Sequence, residues 1–179
     1  MTRNLEEIYD VATAIRAFSI IQATYPGARL TVAGTGPELT SLQALVSTLN
    51  LADTVIFSGG IENARMPALY ASADCLLNSS TVDNMPIAIL EAFASGVPVV
   101  STRAGGIPDL VMHEVTGLLV SVGDDQAMAR EVLRVLDHPK LAHDLRQAGL
   151  QEAQKYAWPQ VRGRWLDAYR YLATKRSVA

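Results

Sequence analysis

Between Asn78 and Val111 the sequence NSSTVDNMPIAILEAFASGVPVVSTRAGGIPDLV switches from strand to helix and back within a few residues each time. A turn after Asn78 leads into an apolar helix at Pro86 and Ser95-Gly96 closes it. The strand Val97-Pro98-Val99-Val100 follows, and Gly105-Gly106 opens a second helix at Ile107. Two strands separated by one helix run parallel and are joined by a right-handed crossover. The same alternation fills most of the chain, with strand and helix pairs at 29–32 and 37–49, 54–58 and 66–72, 75–78 and 86–95, 97–101 and 107–112, and 118–120 and 124–136. This pattern predicts a doubly wound parallel α/β sheet, Rossmann-like, with ligands at the carboxyl ends of its strands.

Extra helices flank that unit. Leu5, Ile8, Val11, Ile15 and Phe18 keep helical spacing, which predicts an amphipathic helix over about 5–24, ended by Pro26-Gly27. The last third reads as two helices, 140–156 and 158–175. Trp158, Val161, Trp165, Leu166, Tyr169 and Leu172 give the second an apolar stripe that needs a partner, either its own sheet or another domain. With 179 residues and no linker, the chain is read as one domain, 1–179.

Glu91 is the residue least at home in its surroundings. In a helix beginning near Pro86 it shares a face with Ile87, Leu90 and Ala94, while Ala88, Ile89, Ala92 and Phe93 cover the others. A helix apolar all round is expected to be buried. A buried carboxyl then needs donors: the hydroxyls of a ligand, a backbone N–H, or a basic side chain. Asp83 stands ahead of it, with seven residues between them. Helix starts at Pro86-Ile87-Ala88 and Gly106-Ile107-Pro108 each present N–H groups and a positive dipole end, and two side by side suit a diphosphate. The competing account of the glycines is turn geometry alone.

Composition narrows the function classes. Apolar residues make up 49% and charged residues 18%, which excludes a disordered chain, and a formal charge of −3 gives no basic surface for nucleic acid. Cys75 reads as a small hydrophobe in a reducing compartment. No apolar run reaches membrane-spanning length and the first residues lack a signal-peptide core, so a cytoplasmic protein is expected, peripheral to a membrane only through other parts. Gly34-Thr35-Gly36 lacks the third glycine of a dinucleotide fingerprint, since residue 39 is Leu. His113, His138 and His143 have no metal-ligand spacing, and Ser79-Ser80 has no nucleophile elbow.

Taken in order, Asp83-Asn84-Met85-Pro86, Glu91-Ala92, Gly96-Val97-Pro98-Val99-Val100 and Gly105-Gly106-Ile107-Pro108-Asp109 form a pattern. It extends through Ala33-Gly34-Thr35-Gly36-Pro37-Glu38, Val55-Ile56-Phe57-Ser58-Gly59, Leu69-Tyr70-Ala71-Ser72-Ala73-Asp74 and Thr116-Gly117-Leu118-Leu119-Val120. The set resembles the donor-binding, carboxy-terminal domain of the nucleotide-sugar-dependent retaining glycosyltransferases of the GT-B class, family four in the usual grouping. Asp83 stands where that family usually has Glu, Asn84 where it has Gly, and no Lys occurs between Arg3 and Pro26 to complete the family's Arg and Lys pair. The family's first strand should precede Arg3 and is expected to be missing, as is the amino-terminal acceptor domain.

The resemblance implies an enzyme that moves a sugar from a nucleotide-diphosphate donor to an acceptor hydroxyl with retention. It implies that Asp83 and Glu91 are the catalytic pair, Glu91 on the ribose hydroxyls and Asp83 on a sugar hydroxyl. Amides around Asn84, Met85, Pro86 and Ile87 face the sugar and diphosphate. Arg3 supplies the cation, Ile61 after Gly60 reads the base, and Gly34, Gly36, Gly105 and Gly106 shape the donor loops. Arg103 is either a phosphate contact or an exposed loop side chain. No metal or other cofactor is implied. The expected partners are the donor, an unidentified acceptor, and either the missing domain or a second copy of the chain. The alternative is a non-catalytic nucleotide-sugar-binding or interaction module derived from such an enzyme, in which the chain alone transfers nothing.

Overall fold

In the computed structural model the backbone is described from residue 1 to 176 and side chains through Tyr171. All five strands are parallel and fall into two sheets. In one, β1 (Leu30–Ala33) pairs with β2 (Val55–Gly59). In the other, β4 (Val99–Thr102) lies between β3 (Leu76–Asn78) and β5 (Leu118–Val120). β4 starts two residues later than the sequence predicts, because Pro98 has no N–H to give the ladder, although its carbonyl accepts from Leu76 N–H at 2.8 Å.

Strand periodicity sorts the core onto two faces. Leu76, Val99 and Leu119 pack with Ile89 and Phe93 of α4 (Ile87–Ala94) and with Ile107 of α5 (Ile107–Leu110). Leu77, Val100 and Leu118 point the other way, into a cluster with Ile15 and Phe18 of α1 (Val11–Thr24) and Met128 and Val132 of α6 (Asp125–Asp137). Both faces of the three-stranded sheet are covered, as a parallel sheet requires. The remaining helices are α2 (Leu39–Thr48), α3 (Met66–Ala71), α7 (Pro139–Gln154) and α8 (Trp158–Arg176).

The chain winds from β1 to β2, crosses to β3 and then winds away through β4 and β5. The two windings diverge at the gap between β1 and β3. Met1–Arg3 enter that gap. Thr2 bridges Ala33 in parallel, Arg3 N–H donates to the Ala33 carbonyl at 3.0 Å and Ala33 N–H to the Met1 carbonyl at 3.0 Å. The residues expected to follow a missing strand therefore form a short strand edge themselves. The Met1 amine donates to Thr31 O at 2.8 Å, and burial pulls its pKa down to about 6. The rest of the gap is a cavity of about 440 Å³ between Leu30 and Thr31 on one side and Leu76 and Leu77 on the other. Cys75 lines it as well, its thiol pushed up to about 12 by burial, in keeping with a small hydrophobe.

The structure corrects one expectation and narrows another. The first helix starts at Val11, not near Leu5, because Asp10 sits at φ 39° and caps it, accepting from Thr13 N–H at 3.2 Å and the Thr13 hydroxyl at 2.6 Å. A short 3₁₀ turn, Glu7–Tyr9, precedes it. At the other end the apolar stripe of α8 does not pack on the sheet: Trp158 is 64% exposed and Tyr169 64%. Trp165 and Tyr169 stack with centroids 6.0 Å apart, and the Leu172 side chain lies outside the described residues. Among the described residues no helix is long and apolar enough to cross a membrane.

Candidate functional site

At the carboxyl end of β3, a buried polar lattice ties the strand ends together. Asn78 Nδ2 donates to Ser101 Oγ at 2.9 Å, Ser80 Oγ donates to Asn78 Oδ1 at 3.1 Å, and Thr102 Oγ1 donates to the Ser80 carbonyl at 2.6 Å. Ser79 Oγ donates to the Asp10 carbonyl at 2.7 Å, fixing the start of α1 against the same edge. Ser79 and Ser80 are fully buried, and their hydroxyls are spent on these bonds.

Above the lattice opens a cleft of about 370 Å³. Its walls come from four places: Thr2, Arg3, Asn4 and Tyr9 before α1; Ala33, Gly34 and Thr35 at the end of β1; Gly60, Ile61, Asn63 and Met66 from the end of β2 to the start of α3; and Ile87, Ala88 and Glu91 at the start of α4. All of these lie at carboxyl ends of parallel strands, beside the point where the windings diverge. Of the residues singled out from the sequence, Arg3, Gly34, Ile61, Ile87 and Glu91 meet here.

Glu91 is half-buried rather than sealed, because the face it shares with Ile87 and Ala94 is the open face of α4: Ile87 is 69% exposed, against 0% for Ile89 and 1% for Phe93. The expectation of a helix buried all round fails for that reason. Glu91 Oε2 accepts from the Tyr70 hydroxyl at 2.9 Å. Tyr70 in turn shares a 2.8 Å hydrogen bond with Thr2 Oγ1 and reaches the Ala88 carbonyl at 3.3 Å. Burial is the main cause that holds the Tyr70 phenol above its ordinary pKa. Its hydroxyl therefore stays a neutral donor.

Arg3 sits across the cleft wall. Its guanidinium forms an ion pair with Asp83 and donates to Ser80 Oγ at 3.2 Å, and it lies 4.5 Å from the centre of the Tyr9 ring. Its side chain is only 13% exposed, as is that of Asp83, and burial is the main cause lowering its pKa. Its Nε is buried without a partner. The Arg3 cation and the Asp83 carboxyl thus face each other, with Arg3 on the cleft wall and Asp83 joined to it from the loop after β3.

The two helix starts differ. α4 has Pro86 at its cap and no side-chain cap. Its first backbone bond runs from Ile89 N–H to the Pro86 carbonyl at 3.0 Å, so the amides of Ile87 and Ala88 stand ahead of the helical ladder and on the cleft wall. The start of α5 is closed. Gly106 N–H donates to the Asp83 carbonyl at 2.9 Å, Ile107 N–H to the Ala104 carbonyl at 3.0 Å, and Pro108 has no N–H. The expected second anion-binding end is therefore corrected: Gly106 N–H holds the loop after β3 in place, and Ile107 N–H closes on its own turn. Gly105 and Gly106 serve that closure, since a Cβ on Gly105, at φ +51°, would lie 2.2 Å from the Asp83 carbonyl oxygen.

Gly34 has a similar packing role, as a Cβ there would lie 1.8 Å from the Arg3 carbonyl oxygen, and Gly36 sits against Leu5. Asn84 and Met85 are exposed in the loop before α4, Pro86 is buried as its cap, and Arg103 is exposed beyond β4, away from the cleft lining. Sequence reasoning missed Thr2, Tyr9 and Tyr70. Tyr70 was visible only as a register mark in Leu69-Tyr70-Ala71-Ser72-Ala73-Asp74, and nothing in Thr2 itself gave a signal. The three histidines stay apart: His113 Nδ1 accepts from Leu119 N–H at 2.9 Å, His138 lies between α6 and α7, and His143 is exposed. Among the described residues no group of His, Cys, Asp and Glu gathers as metal ligands.

The family model for glycosyl transferases group 1 matches residues 1–152. The chain belongs to that family. An N-acetyl-alpha-D-glucosaminyl L-malate synthase of Bacillus anthracis is 34% identical over 142 residues, 79% of this chain and 36% of that protein. A GDP-mannose-dependent phosphatidylinositol monomannoside mannosyltransferase of Mycolicibacterium smegmatis is 36% identical over 75% of this chain and 37% of its own length. The chain thus spans little more than a third of these curated relatives. Among solved structures, Anabaena Alr3699/HepE in complex with UDP has a TM-score of 0.88 at 22% identity, over 95% of this chain and 47% of its own. The carboxy-terminal domain of a Francisella tularensis group 1 glycosyltransferase, LpcC, has a TM-score of 0.78 at 23% identity over 85% of this chain and 81% of its own. Their likeness places the fold as the carboxy-terminal, Rossmann-like domain of a GT-B glycosyltransferase.

Proposed function

We propose that this chain is the donor-binding half of a glycosyltransferase that moves a sugar, with retention, from a nucleotide diphosphate to an acceptor hydroxyl. The observation that carries the reading is one cleft that gathers a carboxyl, a cation and open amides at the switch point of a parallel sheet: Glu91, Arg3, and the N–H groups of Ile87 and Ala88. Glu91 accepts the two ribose hydroxyls and Ile61 lies beside the base. The amides of Ile87 and Ala88 meet the diphosphate. Arg3 exchanges part of its pairing with Asp83 for phosphate oxygens, which frees Asp83 for a hydroxyl of the transferred sugar. As the bond between the anomeric carbon and the phosphate oxygen breaks, charge grows on the diphosphate, and fixed donors aimed there stabilise it. The acceptor oxygen bonds to the same face of the sugar, and its proton leaves with the nucleoside diphosphate.

Relatives and neighbours support this without fixing the donor. One solved neighbour binds UDP-glucose and one relative is GDP-mannose-dependent. The acceptor is bound by another domain, so the chain by itself binds donor weakly and transfers nothing. A non-catalytic binding module is the second reading, favoured by the Arg3 and Asp83 ion pair, which already neutralises the cation. Calorimetric titration of the chain with UDP, GDP and their glucose and mannose derivatives tests the donor reading. Glu91→Ala is expected to weaken binding by roughly 1.5–3 kcal/mol, the range for hydrogen bonds to a charged group, with a smaller change in stability. Unchanged affinity in the folded variant would remove Glu91 from the site.

A further inference from the structure

We propose that Tyr70 is a positioning residue, which with Thr2 behind it holds the Glu91 carboxyl so that its remaining oxygen lone pairs face a vicinal diol in the cleft. This rests on the reading of Glu91 as the group that binds the ribose. The geometry is directional. A phenol has one proton, and the shorter of its two acceptors is Glu91 Oε2 at 2.9 Å, against 3.3 Å for the Ala88 carbonyl. With that proton given to Glu91, the 2.8 Å contact to Thr2 has a single assignment, the Thr2 hydroxyl donating to the Tyr70 oxygen. The result is a chain of donors, Thr2 to Tyr70 to Glu91, that ends on one oxygen of the carboxyl and leaves Oε1 uncovered.

The approach is from behind. Tyr70 is 3% exposed, packed with Leu76 and Ala88, and it lines the cavity between the two sheets, whereas Glu91 lines the cleft and Thr2 lies on the wall that the two share. Its ring cannot swing into the ligand, so the hydroxyl acts on the ligand only through Glu91. Glu91 needs such a restraint. It sits on the open face of α4, beside a 69% exposed Ile87, where a glutamate with three rotatable bonds would otherwise sample solvent. A carboxyl anchored by one oxygen has lost that freedom before the ligand arrives, which lowers the cost of binding a diol.

The experiment is a ligand cycle. UDP and 2′,3′-dideoxy-UDP, and the same pair built on GDP, are titrated into the whole chain and into Tyr70→Phe, Thr2→Val and Glu91→Ala. The wild-type chain is expected to prefer a ribonucleotide over its dideoxy analogue by at least tenfold, and Glu91→Ala to abolish the preference. Tyr70→Phe keeps the ring and loses the hydroxyl, so it should cut the preference to about threefold or less while leaving affinity for the dideoxy nucleotide unchanged. Thr2→Val should cut it by a smaller factor, and it tests the same chain from the other end should Tyr70→Phe not fold. A purely structural tyrosine would lower stability and leave the preference at its wild-type value, and that result overturns the proposal. If instead the wild-type chain makes no distinction between the two nucleotides, or Glu91→Ala keeps it, the ribose reading of Glu91 itself falls and takes the proposal with it.

Discussion

α4 and α5 begin one strand apart at the same edge of the sheet, each after a proline or glycine turn, yet only α4 presents its first amides to the cleft. α5 spends its own on the chain: Gly106 N–H on the Asp83 carbonyl and Ile107 N–H on the Ala104 carbonyl. α4 has eight residues and an uncapped start, α5 four residues and a closed one. A helix start is thus a potential anion site only until its donors are assigned. Here the closed start is what holds Asp83, and through Asp83 the Arg3 that lines the cleft, in place. One helix start opens on the cleft, and the other fastens the loop that carries Asp83.

The largest expected effect tests the supporting start. Gly105→Ala has to move a backbone carbonyl that lies 2.2 Å from the new Cβ, and it adds the strain of a left-handed φ of +51°. It is expected to destabilise the fold by roughly 3 kcal/mol, at the upper end of ordinary single substitutions. Urea unfolding measures it, and nucleotide affinity in the fraction that remains folded should fall too, because the Asp83 loop is displaced. A variant of wild-type stability would show that the two loops are not locked together.

The open start is probed by removing one N–H without disturbing the helix. Ile87→Pro does this at the first helical position, where proline fits and where the preceding Pro86 already has the extended ψ of 113° that a following proline requires. The side chain lost is 69% exposed, so little packing goes with it. Affinity for UDP or GDP is expected to drop by roughly 1.5 kcal/mol, one charge-assisted hydrogen bond, while affinity for uridine or guanosine, which lack the diphosphate, stays constant. Equal losses for nucleoside and nucleotide would mean that the amide does not meet the phosphates.

How far the sequence carried this picture follows from the same contrast. Parallel strands and their alternation with helices were legible because runs of apolar residues report burial directly, and in the structure Leu76 and Leu77, or Val99 and Val100, alternate between the two cores. Glu91 stood out because a carboxyl in an apolar helix is a local anomaly. What stayed hidden depends on contacts between distant segments. The Gly106 to Asp83 bond, the Thr2, Tyr70 and Glu91 chain, and the exposed side of α4 each join residues far apart in sequence or set by packing. Asp10 was missed for another reason, since a lone Asp within an apolar stripe looks like a solvated position until its left-handed φ of 39° reveals a cap.

The smallest expected effect lies at Arg103, which shares the strand end of β4 with the closed helix start. Sequence reading allowed it a phosphate or a solvated loop, and the structure places it exposed, away from the residues that line the cleft. Its backbone N–H donates to the Val120 carbonyl at 2.9 Å, so the main chain there is tied to β5 whatever the side chain does. Arg103→Ala should therefore alter nucleotide affinity and stability by less than about 0.5 kcal/mol, the range of surface substitutions away from special features. Titration at low and at high salt sharpens this. A cation that reached the diphosphate would lose its contribution as salt rises, since exposed charges are screened beyond roughly 8 Å at physiological ionic strength. If Arg103→Ala weakens UDP binding tenfold at low salt and the difference closes at high salt, Arg103 belongs to the diphosphate site. The division between a helix start that opens on the cleft and one that serves the fold would then have to be redrawn around the loop after β4.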